Sequence, residues 1–188
     1  GRVQWNKVHN LAYAGLRWLR LAYAGFLRKP RHHRCFILME GFDMDHKIGV
    51  IPFTIDGERI AIMFVTSQQR GRWILPKGNL KAKESHKKGC QREAFEEAGV
   101  SGEILTDFPI TTSISKSAAT GVVQNAVTYY PMLVTDQADE WPEKEKRERH
   151  WALLKHAYQV TDREDFQQLI GLFEAISPAV LATAKRKI

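Results

Sequence analysis

Three glutamates in the middle of the chain have a spacing that suits metal chemistry. Glu93, Glu96 and Glu97 stand at positions i, i+3 and i+4, so on a helix their carboxylates emerge from one face within a turn. Ionised carboxylates this close repel one another unless a cation lies among them. Carboxylate oxygens suit hard divalent ions such as Mg²⁺ or Mn²⁺, and Mg²⁺ is commonly bound together with substrate phosphates. The spacing therefore predicts a metal site for phosphate chemistry; the alternative is a helix face that is merely solvated.

The glutamates belong to a longer pattern that runs from Gly78 to Val100. The pattern is a glycine, five residues, a glutamate, seven residues, Arg-Glu, two residues, Glu-Glu, one residue, a glycine and an aliphatic residue. Through it the chain resembles the Nudix hydrolases, at Gly78, Glu84, Arg92, Glu93, Glu96, Glu97, Gly99 and Val100. Ala94 stands where a larger aliphatic residue is more usual. A solvated charged face would not explain the glycines and the arginine of this pattern.

The resemblance implies a reaction and a set of site residues. Water attacks phosphorus at a phosphoanhydride bond, and Mg²⁺ or Mn²⁺ polarises the phosphoryl oxygens and activates the water. Arg92 is expected to orient a catalytic carboxylate, and Glu84 is expected to bind Arg92 across the preceding loop. The general base stays open, because the family takes it from the signature or from a later loop. The implied metal ligands are Glu96 and Glu97, with Glu93 as a further ligand or the base, and the backbone carbonyl of Lys77 as another possible ligand.

Residues outside the signature resemble the diphosphoinositol polyphosphate phosphohydrolase branch, whose members generally cleave diadenosine polyphosphates too. The resemblance is carried by residues 72–78, by Glu140-Trp141 and by residues 146–151. It implies a dense, anionic small-molecule polyphosphate that basic side chains hold through charge-assisted hydrogen bonds. The residues expected to contact this substrate are Arg72, Lys77, Gly78, Lys116, Arg147 and Arg149.

Three other functions stay open. They are hydrolysis of nucleotide sugars or nucleoside triphosphates, action on RNA 5′ ends, and a Nudix-like binding module without catalysis. An enzyme that acts on RNA is expected to have a basic domain surface. Residues 35–188, however, carry 20 Lys and Arg against 21 Asp and Glu. A nucleic-acid partner is therefore not expected, and the intact signature glutamates argue against the binding module.

The positive charge of the chain lies in its first segment. Residues 1–34 hold eight Lys and Arg and no acidic residue, within a net charge of +7, and residues 5–28 predict an amphipathic helix. Three roles stay open for it: packing on this domain or a second subunit, contact with an anionic membrane surface, or an Arg-rich targeting segment. We predict a basic helix and linker over 1–34 and a Nudix domain over 35–188.

The two cysteines, Cys35 and Cys90, offer no disulfide framework. Their scarcity favours a reducing compartment, so we expect a cytoplasmic protein, with peripheral membrane contact as an alternative through residues 1–34.

The elements that must position the signature follow from hydrophobic periodicity. Strands are expected at 48–55 and 59–66 around an Asp56-Gly57 turn, and the signature helix at 85–98 with Gly99 after it. Further strands are expected at 102–106, 110–115, 122–134 and near Trp151, with a substrate-closing loop at 116–121 and two helices at 162–175 and 178–187. Strands alternating irregularly with helices predict a mixed sheet between helical layers, which agrees with the α/β/α sandwich that the resemblance implies.

Overall fold

The computed structural model describes residues 47–118 and 121–187. The predicted N-terminal helix and linker, and the domain boundary after residue 34, lie outside these residues.

The described residues form one mixed, eight-stranded sheet. Its strands are β1 (Lys47–Asp56), β2 (Arg59–Thr66), β3 (Trp73–Ile74), β4 (Lys77–Asn79), β5 (Val100–Ile104), β6 (Ile110–Ala118), β7 (Gly121–Gln137) and β8 (Arg149–Leu153). The order along the sheet is β3-β2-β1-β7-β5, with β4 paired to β1, β6 to β7 and β8 to β2. β1 and β7 are parallel, and the other pairings are antiparallel. The predicted mixed sheet is confirmed.

Two helices cover opposite faces of this sheet in the described part of the chain: α1 (His86–Ala98) and α2 (Glu164–Lys185). Successive side chains of a strand point to opposite faces, and neighbouring tyrosines of β7 show which helix lies on which face. The ring of Tyr129 packs edge-on against Phe166 of α2, and the ring of Tyr130 packs against His86 of α1. The α/β/α layering is therefore confirmed.

Burial between two helices explains why the central strands are apolar along most of their length. β1 is buried from Ile48 to Phe53, and β2 from Ile62 to Thr66. A strand with one solvated face would alternate apolar and polar residues instead. Phe53 of β1 also contacts Phe173 of α2, with ring centroids 6.1 Å apart. The core thus fixes both helices on the sheet.

Helix α1 has the predicted bounds because its two ends carry clear local signals. The Ser85 side chain accepts a hydrogen bond from the Lys88 amide at the N-terminus, and Gly99 adopts a left-handed φ of 65° after the last turn. Such caps satisfy backbone groups that the helix leaves unpaired. Three small residues, Cys90, Ala94 and Ala98, are fully buried and let the helix approach the sheet closely. Burial raises the pKa of the Cys90 thiol to about 12, which makes it an unreactive packing group.

The prediction of two C-terminal helices was wrong, because α2 continues through Pro178. Proline has no amide hydrogen, so it leaves the carbonyl of the residue four positions earlier, Glu174, without its helical partner. The Ser177 hydroxyl donates to that carbonyl at 2.8 Å instead. The hydroxyl bond replaces the missing amide bond, and the helix continues where the sequence alone suggested a break.

The prediction of a loop at 116–121 was also wrong. β6 continues to Ala118 and pairs with β7 from Gly121 onward, so Lys116 lies on a strand. The Gln124 side chain bonds the hydroxyls of both Ser113 and Ser115 across the hairpin. These cross-strand hydrogen bonds hold the small polar residues in extended structure.

Candidate active site

Arg92 is the centre of a hydrogen-bonded cluster that organises the signature. Its guanidinium donates twice to the Glu84 carboxylate, at 3.0 and 2.9 Å, and once to the Asn79 carbonyl at 3.0 Å. It also donates to Glu96 at 3.1 Å and forms an ion pair with Glu93. The structure thus brings Glu84 and Arg92 together as the resemblance implied, and it adds Arg92 contacts to two of the three glutamates.

The Glu84 carboxylate fixes the turn before α1. Besides the two bonds from Arg92, it accepts the Lys81 amide at 3.0 Å. Hydrogen bonding by Arg92, and then by this amide, lowers the pKa of Glu84 to about 2. Glu84 is therefore a charged anchor for Arg92 and the loop.

Glu97 lies deeper than the other signature glutamates and is held on both oxygens. Oε2 accepts the Lys77 amide at 3.0 Å, and Oε1 forms an ion pair with Arg147. Burial raises the pKa of Glu97 to about 7, against the opposing effect of Arg147. Burial also raises the pKa of Glu93, against the opposing effect of Arg92. Two buried carboxylates are costly to keep ionised unless positive charge lies close by.

Gly78 provides the space in which the Glu93 carboxylate lies. A Cβ atom at Gly78 would overlap the Glu93 carboxylate. The backbone at Gly78 has no positive φ, so the glycine is required by this close approach. The presence of glycine at position 78 is thereby explained by the position of the Glu93 carboxylate.

The donor set suits a hard divalent cation, since Glu93, Glu96 and Glu97 supply carboxylate oxygens from one helix face. The three carboxylates do not meet at one point in this structure. Residues 47–118 and 121–187 contain no cluster of three Asp, Glu, His or Cys side chains arranged to hold a metal ion. Each carboxylate is bound to an arginine instead. The amide of Lys77 contacts Glu97, and its carbonyl, the fourth expected ligand, remains a prediction.

An open cavity of about 980 Å³ lies beside these residues. The three glutamates do not line this cavity. Its wall instead includes their neighbours Lys77, Gly78 and Arg147. The described residues of its wall include seven basic and three acidic side chains: Lys47, Arg70, Arg72, Lys77, Lys116, Arg147 and Arg163 against Asp162, Glu164 and Asp165. Burial lowers the pKa of the Lys77 ammonium, although Glu97 opposes the shift. The wall is therefore suited to an anionic ligand.

The structure brings five of the six expected substrate contacts to this cavity, and Arg149 is the exception. Its guanidinium stacks on Trp141, 4.2 Å from the ring centroid, and donates to the carbonyls of Ala98 and Ala138 at 3.1 and 2.8 Å. Helices leave their last carbonyls unpaired, and Arg149 satisfies one at the end of α1. This corrects the expectation for Arg149, which holds α1 in place and does not face the cavity.

Sequence reasoning missed the contribution of the start of α2. Arg163 donates to the Ser115 carbonyl at 2.6 Å and pairs with Asp165, while Asp165 accepts the Ser115 amide at 2.8 Å. These bonds join α2 to β6 on the wall of the cavity. No motif marks Arg163 or Asp165 in the sequence, because their role depends on a strand some 50 residues earlier.

Comparisons with known proteins agree with this fold. The NUDIX domain model matches residues 45–170. Nudix hydrolase 12, mitochondrial, of Arabidopsis thaliana is 29% identical over 120 residues, which cover 61% of this chain and 59% of that protein. Nudix hydrolase 17, mitochondrial, from the same plant is 32% identical over 122 residues, or 58% of this chain and 63% of that protein. The aligned stretch thus spans about three fifths of these relatives.

Among solved structures, an Ap4A hydrolase of C. elegans matches 71% of this chain and 98% of its own, with a TM-score of 0.55 and 19% identity. The NUDIX domain of Shewanella oneidensis NrtR, solved with ADP ribose, matches 69% of this chain and 85% of its own, with a TM-score of 0.53 and 21% identity. At these identities the likeness establishes the fold.

Proposed function

This chain belongs to the Nudix hydrolase family, and we propose that it hydrolyses a phosphoanhydride bond of a polyphosphorylated small molecule, with Mg²⁺ or Mn²⁺ as cofactor. The observation that carries the proposal is a strongly basic cavity beside a helix that presents three carboxylates. Within the part of the chain that the structure describes, seven Lys and Arg side chains line that cavity against three Asp and Glu, although residues 35–188 as a whole are nearly neutral. Positive charge is thus concentrated where a polyanion would bind.

Each part of the site has a role in this reaction. Glu93, Glu96 and Glu97 would hold the divalent ion, which when bound supplies Lewis-acid polarisation of the phosphoryl group and an activated water. Arg92 orients Glu93 and Glu96 from the side that faces Glu84. The cavity lysines and arginines bind the phosphate oxygens and position the anhydride, since positioning and charge stabilisation dominate phosphoryl transfer.

The lining of the cavity supports a diphosphoinositol polyphosphate as the substrate. Among the described residues it contains no aromatic side chain, whereas it has many amides and hydroxyls, including Ser67, Gln68, Asn79, Gln124 and Gln168. Purine bases usually stack on aromatic side chains, while ring hydroxyls and phosphates hydrogen-bond to amides, hydroxyls and cations. Lys47, Arg70 and Lys116 also have no ion-pair partner within the part of the chain that the structure describes, which leaves them available for phosphates.

A hydrolysis panel, in which the products are separated and quantified by anion-exchange chromatography, tests this proposal. The chain is assayed with Mg²⁺ and with Mn²⁺ on diphosphoinositol phosphates, diadenosine polyphosphates, ADP-ribose, nucleoside triphosphates, a nucleotide sugar and triphosphorylated RNA. We expect the highest kcat/KM on a diphosphoinositol phosphate. A higher kcat/KM on diadenosine polyphosphates would show that the preferred substrate is a dinucleotide polyphosphate. Activity on none of them would favour a Nudix module that binds without catalysis.

The Lys77→Met variant is expected to bind the polyphosphate substrate about tenfold or more weakly. A hydrogen bond from a charged group contributes about 1.5–3 kcal/mol, and Lys77 faces the cavity. Its stability is expected to be unchanged or higher, because burial already disfavours this ammonium in the free protein and Met fills a similar volume. Substrate affinity and thermal unfolding are measured on the same preparations.

The control for this variant is Arg59→Gln. Arg59 is exposed, pairs with Asp56 and does not line the cavity, so its loss is expected to leave substrate affinity unchanged. Equal effects of the two substitutions would show that net charge acts at long range and that Lys77 makes no specific contact.

A further inference from the structure

Arg147 is a nearly buried arginine held by three separate parts of the fold. Its side chain is only 8% exposed. One terminal nitrogen donates to the Thr66 carbonyl at the end of β2, at 2.7 Å, and Nε pairs with Glu143. The other terminal nitrogen, Nη2, pairs with Oε1 of Glu97 on α1. The guanidinium therefore keeps two anchors that do not involve the signature.

Both oxygens of Glu97 are occupied by groups of the protein itself. Oε1 is bound by Arg147 and Oε2 by the Lys77 amide. A divalent ion and a guanidinium repel strongly when they share one carboxylate in a poorly solvated site. Binding of a divalent cation through Oε1 of Glu97 is therefore disfavoured while Nη2 of Arg147 stays bound to that oxygen.

The position of Arg147 defines where that nitrogen would go. Arg147 also lines the basic cavity, whereas the bonds to Thr66 and Glu143 hold the rest of its guanidinium at the cavity edge. Nη2, once released from Glu97, therefore belongs to a side chain that already lines the space where the substrate phosphates are expected.

We propose that Arg147 is an internal counter-ion that occupies the place of the divalent cation on Glu97, and that it exchanges its bond to Glu97 for one to the anionic substrate when the cation binds. This inference rests on the proposed function, in which Glu97 is a metal ligand and the cavity binds an anionic substrate. Arg147 is in this account a positioning residue that couples cation binding to substrate binding. It keeps a buried carboxylate paired in the absence of metal, at the expense of metal affinity.

Arg149 provides a matched control two residues further along the chain. Like Arg147 it joins this segment to α1, but it donates to the neutral carbonyls of Ala98 and Ala138 and contacts no signature carboxylate. A substitution at Arg149 therefore reports the general loss of a structural arginine. A substitution at Arg147 adds the loss of competition for Glu97.

The experiment measures Mn²⁺ binding by calorimetry, and thermal unfolding with chelator or with saturating Mn²⁺, all without substrate. Three variants of the full chain are compared with the wild type: Arg147→Gln, Arg147→Lys and Arg149→Gln. We expect Arg147→Gln to bind Mn²⁺ about fivefold or more tightly, a usual size for coupling between linked sites. Its Tm is expected to fall in chelator and to rise more on adding Mn²⁺ than that of the wild type.

The other two variants complete the test. Arg147→Lys is expected to bind Mn²⁺ more tightly than the wild type as well, because a single ammonium does not reproduce the planar guanidinium that joins Thr66, Glu143 and Glu97. This variant tests the proposal if the glutamine variant does not fold. Arg149→Gln is expected to lower Tm equally with and without Mn²⁺. Mn²⁺ affinity in both Arg147 variants that is no higher than that of the wild type would overturn the exchange. No Mn²⁺ binding by any of the four proteins would overturn the metal assignment itself.

Discussion

The Glu97→Gln variant is expected to lose metal-dependent phosphate release by on the order of 10³-fold while it remains folded. Glu97 is the most deeply held of the signature carboxylates, with one oxygen on Arg147 and the other on the Lys77 amide. Glutamine keeps the shape of the side chain but removes the negative charge that a divalent ion needs. Several kcal/mol of charge stabilisation are lost with the metal, and each 1.36 kcal/mol lowers a rate about tenfold.

Steady-state kinetics with Mg²⁺ and circular dichroism measure the two parts of this prediction. The control is Glu103→Gln, a partly exposed glutamate that pairs with Lys87 and Lys187 and is expected to leave turnover within about twofold, since surface ion pairs contribute little. Near-normal turnover by a folded Glu97→Gln protein would show that Glu97 is not part of the catalytic site.

The Gly78→Ala variant is expected to lose most of its turnover with only a small change in stability. The added Cβ would overlap the Glu93 carboxylate, so this flexible side chain must leave its position beside Arg92. The backbone at Gly78 tolerates alanine, because its φ is not positive. Glu93 is a proposed metal ligand, so its displacement is expected to weaken Mn²⁺ binding by about 10- to 100-fold, which calorimetry measures directly.

The matched control is Gly49→Ala, which is expected to show the reverse behaviour. A Cβ at Gly49 would overlap the buried ring of Tyr129, which packs against Phe166. Overpacking in a core costs about 1–3 kcal/mol, so denaturant unfolding is expected to shift while Mn²⁺ affinity does not. Normal Mn²⁺ binding by Gly78→Ala would show that Glu93 does not need the space that Gly78 provides.

Local signals in the sequence were sufficient for the signature region. Ser85 and Gly99 mark the two ends of α1, and the Asp56-Gly57 turn fixes the first hairpin. Each of these elements depends on residues within a few positions of itself, so backbone preferences and capping predict it. The glutamate spacing likewise follows from helix geometry alone.

The parts that could not be predicted depend on contacts between distant residues. Arg147 pairs with Glu97, and Asp165 with the Ser115 amide, across 50 residues in both cases. Arg147 and Arg149 look alike in sequence, yet one lines the cavity and the other caps α1. Pro178 misled the helix prediction because a neighbouring hydroxyl replaces the missing hydrogen bond.

The central claim is that a divalent ion bound by the α1 glutamates enables hydrolysis of a polyphosphate in the basic cavity. The most direct measurement is phosphate release from a diphosphoinositol phosphate by chelator-stripped wild-type protein as Mg²⁺ is titrated back. We predict no release in chelator, and release that rises and saturates with Mg²⁺. Release at the full rate in chelator, or a rate that Mg²⁺ and Mn²⁺ both fail to raise, would contradict it.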